Sequence, residues 1–141
     1  MNSYRIILSI WAMLAISMPV IANPKSLVPC PDKPNCVSSQ SIDNAHFIEP
    51  IHYTGSVDEA WQQLMDILKV TKRTKIVEHL ELYLHVEATS LIFRFVDDVE
   101  FLISPDEKII HVRSASRIGR SDWGVNRKRV ERIRKAFVKN N

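Results

Sequence analysis

From Glu81 to Ala88 the chain alternates without a break. Leu82, Leu84, Val86 and Ala88 are apolar, and Glu81, Tyr83, His85 and Glu87 stand between them. A period of two belongs to an extended strand with one face on a core and the other towards water or a ligand. The segment before it has a different period. Ser56-Val57-Asp58-Glu59 forms a capping box, and Trp61, Leu64, Met65 and Leu68 follow at i, i+3, i+4 and i+7. This spacing predicts an amphipathic helix of about four turns that ends near Val70. The chain therefore switches from helix to sheet across Thr71-Lys72-Arg73-Thr74.

Downstream, Leu91 to Val96 and Val99 to Ser104 read as two more strands joined by a turn at Asp97-Asp98, since acids are ordinary at turns. Pro105-Asp106-Glu107-Lys108 reads as a second turn, leading into a strand from Ile109 to Ala115. A basic helix then runs from near Asp122 to about Lys139, with Val130, Ile133 and Phe137 on its inner stripe. The order helix, several strands, helix gives an α+β fold: an antiparallel β-meander with two helices packed on one face. Residues 56–141 are taken as that domain, and residues 23–55, rich in Pro and Ser, as an extended arm preceding it.

The first 22 residues have the grammar of a secretory signal peptide. A short cationic start precedes an apolar stretch from Ile6 to Met18, then Pro19, with Val20 and Ala22 placed for cleavage after Ala22. An uncleaved anchor is the alternative, although Ile6 to Ile21 is shorter than the roughly 20 residues that cross a bilayer comfortably. Leu27-Val28-Pro29-Cys30 puts a leucine three residues before a cysteine, but Pro29 stands where a lipid-attachment box needs a small residue. The expected location is periplasmic or secreted. In that compartment Cys30 and Cys36, the two cysteines of the chain, are expected to pair. Their proline-rich setting favours a structural clip over a redox pair.

Charge is unevenly spread. Lys and Arg number 19 against 16 Asp and Glu. Asp58 to Glu107 contains 11 acids and 5 bases, and Arg113 to Lys139 contains 10 bases and 2 acids. The basic end either docks on the acidic half of its own domain or faces phosphates, anionic lipid or an acidic partner. Its densest polar segment supplies the candidate site: Arg113, Ser116, Arg117, Asp122, Asn126 and Arg129. Asp122, Asn126 and Arg129 share a helical face close to the apolar stripe, so they point inward and need partners. Arg113 and Arg117 are expected to bond Asp122. Two readings stay open, a network that caps the helix and pins the loop, or an anion site built from helix-start amides and guanidinium groups.

Catalytic signals are sparse. The histidines His46, His52, His79, His85 and His111 form no helical pair, and on a single strand His79 and His85 would stand about 20 Å apart, too far to share a metal. Ser114 and Ser116 lack a nucleophile elbow, and no phosphate-binding glycine loop is present. Trp61 and Trp123 read as core or rim aromatics. No metal or cofactor is assigned. A hydrolase using Asp97, Asp98 or His111 is carried as one alternative, and an envelope protein held on anionic lipid by the basic final helix as another. The expected partner is an anionic ligand or an envelope protein, with nucleic acid disfavoured by the compartment and a monomer assumed.

Three segments carry a resemblance: Pro34-Asn35-Cys36-Val37-Ser38-Ser39, Asp97-Asp98-Val99-Glu100-Phe101, and Arg113-Ser114-Ala115-Ser116-Arg117 running into Asp122-Trp123-Gly124-Val125-Asn126-Arg127. Together they closely resemble domain-of-unknown-function family 1499 over nearly all of the chain beyond the leader. Family membership implies a small exported or membrane-associated bacterial protein. It implies a fold unit and a location rather than a reaction.

Overall fold

A computed structural model describes residues 26–139; the leader assigned to residues 1–22 lies outside them. Ser56 caps the first helix, α1 (Val57–Val70). Its hydroxyl accepts from the Glu59 amide at 3.2 Å, and the Glu59 carboxylate accepts from the Ser56 amide at 2.7 Å. Of the stripe that the spacing predicts, Trp61, Leu64 and Leu68 are buried and Met65 is half-buried against the core, and Ala60 and Ile67 are buried beside them.

Six strands form one sheet, with every strand pair antiparallel. They are β1 (Cys36–Ser38), β2 (Ile51–His52), β3 (Thr74–His79), β4 (Tyr83–Thr89), β5 (Val96–Ser104) and β6 (Ile109–Ser116). The order across the sheet is β1-β6-β5-β4-β3, and β2 also pairs with β6. The segment read as an arm thus adds two short strands to the same sheet. The Cys30–Cys36 disulfide closes a loop just ahead of β1.

The second helix, α2 (Val125–Lys139), buries Val130, Ile133 and Phe137. With Leu64 and Leu68 of α1 and Val86, Val99, Phe101, Ile110 and Val112 of the sheet, these residues form one core. Both helices therefore cover the same face. Alternation sorts the residues of the central strands: Val86, Val99, Phe101, Val112 and Ser114 point under the helices, while Tyr83, His85, Asp98, Glu100 and Arg113 point to a face that no helix covers.

Two expectations are corrected. The Asp97-Asp98 pair is not a turn. It lies inside β5, where Asp97 is opposite Ser116 and Asp98 opposite Ala115. The connection is instead Ser90 to Phe95, closed by Ser90 N–H to Phe95 O at 2.8 Å and Phe95 N–H to Ser90 Oγ at 2.9 Å, with Arg94 at φ 56°. Leu91 to Phe95 is apolar enough to imitate a buried strand, but these side chains are exposed. Asp97 is held in the strand because Arg129 compensates its charge there. The second correction is β3, an edge strand that sequence reasoning did not identify. Its outer residues Val77, Glu78 and His79 are all exposed and a bulge falls between Ile76 and Glu78, so little alternation survives.

Candidate functional site

The polar segment of β6 and α2 is divided by the sheet into two layers. Beneath the helices, Asn126 is fully buried and is the hub of the inner layer. Its Oδ1 accepts from Ser114 Oγ at 2.5 Å and from Arg129 NH1 at 2.7 Å. Its Nδ2 is shared among Asn35 O at 3.0 Å, Ser116 Oγ at 2.9 Å and Asp122 Oδ2 at 2.7 Å. Asp122 also accepts from the Gly124 and Asn126 amides at 2.9 and 2.8 Å, so it caps the start of α2. Arg129 donates to Asp97 Oδ2 at 2.6 Å, and both side chains are almost wholly buried. Ser116, Asp122, Asn126 and Arg129 thus bond one another together with Asp97, Ser114 and the Asn35 carbonyl, while the buried Oδ1 of Asn35 has no protein partner among the described residues.

Arg113 and Arg117 lie in the outer layer, on the opposite face, and do not reach Asp122. The reason is the pleat: odd-numbered residues of β6 point away from the helices. Arg113 NH1 donates to Glu100 Oε2 at 2.6 Å, and Tyr83 Oη donates to Glu100 Oε1 at 2.9 Å. Arg117 grips Asp98 through Nε at 2.9 Å and NH2 at 2.7 Å, and reaches Glu87 through NH2 at 2.6 Å. His85 Nε2 lies 2.7 Å from Asp98 Oδ1. The Arg117 hydrogen bonds, then the His85 bond, hold the Asp98 carboxyl below its ordinary range against the effect of burial. An ionised carboxylate only accepts, so His85 donates from Nε2. Burial first, and the bond to Glu100 second, push the Tyr83 hydroxyl far up. Tyr83, His85, Glu87 and Glu100 were not singled out as site residues; their signal was the polar half of the strand alternation.

The groups considered for hydrolysis do not converge. Asp97 is beneath the sheet and Asp98 above it. His111 shares the upper face but stands opposite Leu102, four residues along β6 from the partner of Asp98, about 13 Å at strand spacing. Its Nδ1 is 3.2 Å from Ser39 Oγ. His79 and His85 are not on one strand and not about 20 Å apart: they lie on the paired strands β3 and β4, His79 opposite Leu84 and Glu78 opposite His85. It is the pleat that separates them, His79 lying against Trp61 and His85 against Asp98. Among the described residues, no group of three or more His, Cys, Asp or Glu is placed to hold a metal ion, and both cysteines are in the disulfide. A cleft of about 220 Å³ beside the start of α2 is lined by Lys33, His46, Asp122 and Arg127, among others. Arg127 is occupied there in clamping the backbone, donating to Phe47 O at 2.8 Å and Ala45 O at 3.0 Å.

Beyond the ordered layers, the two connections Ser90 to Phe95 and Arg117 to Gly124 meet at one end of the sheet, where Arg117 N–H donates to Val96 O at 3.3 Å. The bonds of Arg117 use Nε and NH2, and its side chain is 43% exposed. Arg94, Arg120 and Lys128 at this end form no ion pair among the described residues, and all three are exposed.

Fold and site define a small, disulfide-clipped α+β domain with a buried hydrogen-bonded frame and a cationic rim. The family of proteins of unknown function DUF1499 matches residues 26–137, and the chain belongs to it. No curated protein and no solved structure matches the chain significantly. No helix among the described residues is long and apolar enough to cross a membrane.

Proposed function

We propose that the chain is a non-catalytic module of the cell envelope that binds an anionic ligand at the sheet end formed by Arg117 and Arg120. The observation that supports this most is the split of the polar segment. Ser116, Asp122, Asn126 and Arg129 are buried or half-buried and spend their hydrogen bonds on one another and on the fold. By contrast Arg117, held by Asp98 and Glu87 through Nε and NH2, stays 43% exposed, and Arg120, three residues on, is exposed and forms no ion pair among the described residues. Of the candidate residues, Arg117 is the ligand-facing one, and the buried set holds it in place by fixing β6 against α2. Arg113 sets the outer layer through Glu100. Export is supported by the leader-like first 22 residues and by the disulfide, which suits an oxidising compartment.

Calorimetric titration of the full chain with inorganic phosphate tests the reading. Wild-type protein is expected to bind, and the double variant Arg117→Ala, Arg120→Ala to bind at least about tenfold more weakly, a loss of two charge-assisted bonds. Equal affinity of the two proteins would refute the assignment.

A further inference from the structure

The cationic rim is also the most apolar part of the surface. Leu91, Ile92 and Phe93 are 68%, 77% and 71% exposed, and Ile118 and Trp123 are 55% and 89% exposed. Phe95, also exposed, stacks on Phe93 with ring centroids 5.4 Å apart. All six sit on the two connections that converge beside Arg117. The other large apolar side chains that are exposed are Val70, the last residue of α1, Val125, the first of α2, and Val28, Ile42, Val77 and Val138; the last four are scattered singly, which is ordinary. An exposed cluster of this kind is not ordinary and marks an interaction surface.

The geometry points to the interface of an anionic lipid bilayer as the occupant of this end, with the two connections inserted among the headgroups. This rests on the anion-binding reading above and names the source of the anion. Three observations favour a bilayer over a free phosphate or a protein. First, a small anion has no use for six exposed apolar side chains, whereas a bilayer interface takes up aromatic and aliphatic groups flanked by cations. Second, the apolar groups sit on the outer tips of connections rather than lining a hollow; tips insert into fluid lipid, while a protein partner would need a matching cavity.

Third, the charge pattern orients the molecule. The connecting segments carry Arg94, Arg120 and Arg117, the last paired with Asp98 and Glu87 of the adjoining strands, with Lys72 and Arg73 alongside at the start of β3 and Lys128 in the first turn of α2. Their one acid, Asp122, is consumed in capping α2. At the opposite end stand Asp58, Glu59, Glu81, Asp106 and Glu107, offset there by Lys108 and the last turns of α2. The backbone agrees: Trp123 holds its exposed side chain out from a left-handed conformation at φ 50°, a costly arrangement for a bulky residue that recurs at functional positions. The membrane contact is thus made by the loop tips, and not by the outer flank of α2, which offers charge with little exposed apolar area.

The test is hydrogen exchange of the full chain with phosphatidylglycerol-containing vesicles, with neutral phosphatidylcholine vesicles as control. A local readout is insensitive to whatever residues 1–22 do with lipid. Protection confined to residues 90–95 and 117–124, present with anionic and not with neutral vesicles and weakened by salt, is the expected result. In the variant Phe93→Ser, Trp123→Ser both replaced side chains are exposed, so the fold is kept, as circular dichroism would confirm. Its vesicle affinity is expected to fall by at least about tenfold while phosphate binding is unchanged. Equal protection in this variant, protection on α2 instead, or no protection in wild-type protein that still binds phosphate would each overturn the bilayer assignment and leave the anion reading standing. Loss of phosphate binding by wild-type protein itself would remove both.

Discussion

His111 and His46 show how the same side chain is driven in opposite directions by its setting. Burial beside Leu102 of β5 and Ser39, the residue after β1, holds the His111 imidazole below the usual histidine range, against a smaller pull from Glu107. His46 is raised, first by its bond to the Lys33 carbonyl and then by Asp43. Ring titrations followed by NMR are expected to place the His111 midpoint below and the His46 midpoint above the ordinary value of about 6.5. The stability consequence has a definite sign. A folded-state midpoint below the unfolded one means that the folded chain disfavours the proton, so the His111 contribution is complete above about pH 6.5 and is lost as pH falls through the lowered midpoint. The melting temperature of His111→Gln relative to wild type should therefore improve on acidification. A constant difference across that range would contradict the assignment. None of this was readable from sequence, because a histidine in an alternating strand carries no mark of what packs beside it.

At the scale of elements, the legible parts were those whose periodicity follows from one buried face. The stripe of α1, the alternation of β4 and β6 and the inner row of α2 each imply their partners. What resisted was the edge and the connection. β3 has no consistent buried face, and Leu91 to Phe95 is an apolar run that lies exposed on a connection, so its composition alone reads as a buried strand. The candidate site was half legible. The inward stripe Asp122, Asn126, Arg129 followed from helical spacing, but the face of β6 on which Arg113 and Arg117 stand depends on strand register, which a turn misplaced at Asp97-Asp98 could not supply. The junction between α2 and β6 is where a single residue has most leverage. Asn126→Ala removes the hub and leaves Ser114, Arg129 and the Asn35 carbonyl with fewer partners in a buried setting. A loss of about 3 kcal/mol in urea denaturation is expected. A loss below about 1 kcal/mol would mean that the network relaxes around the gap.

As a whole, the molecule is a sheet with unequal faces and unequal ends. One face is sealed by α1 and α2 over a single core. The other carries a lattice of paired charges, His85-Asp98-Arg117-Glu87 and Tyr83-Glu100-Arg113, whose groups are oriented before any ligand arrives. One end gathers the exposed cations and apolar tips. The disulfide ties the chain ahead of β1 near that same end, since Cys36 is opposite Ala115. The central claim is that the buried polar set builds the fold while the Arg117 end does the binding. Its most direct test is a map of which backbone amides shift when inorganic phosphate is added to the full chain. Shifts centred on Arg117 to Gly124 are the expected result. Shifts centred instead on the cleft of Lys33, His46 and Arg127, or on none of these, would contradict the claim.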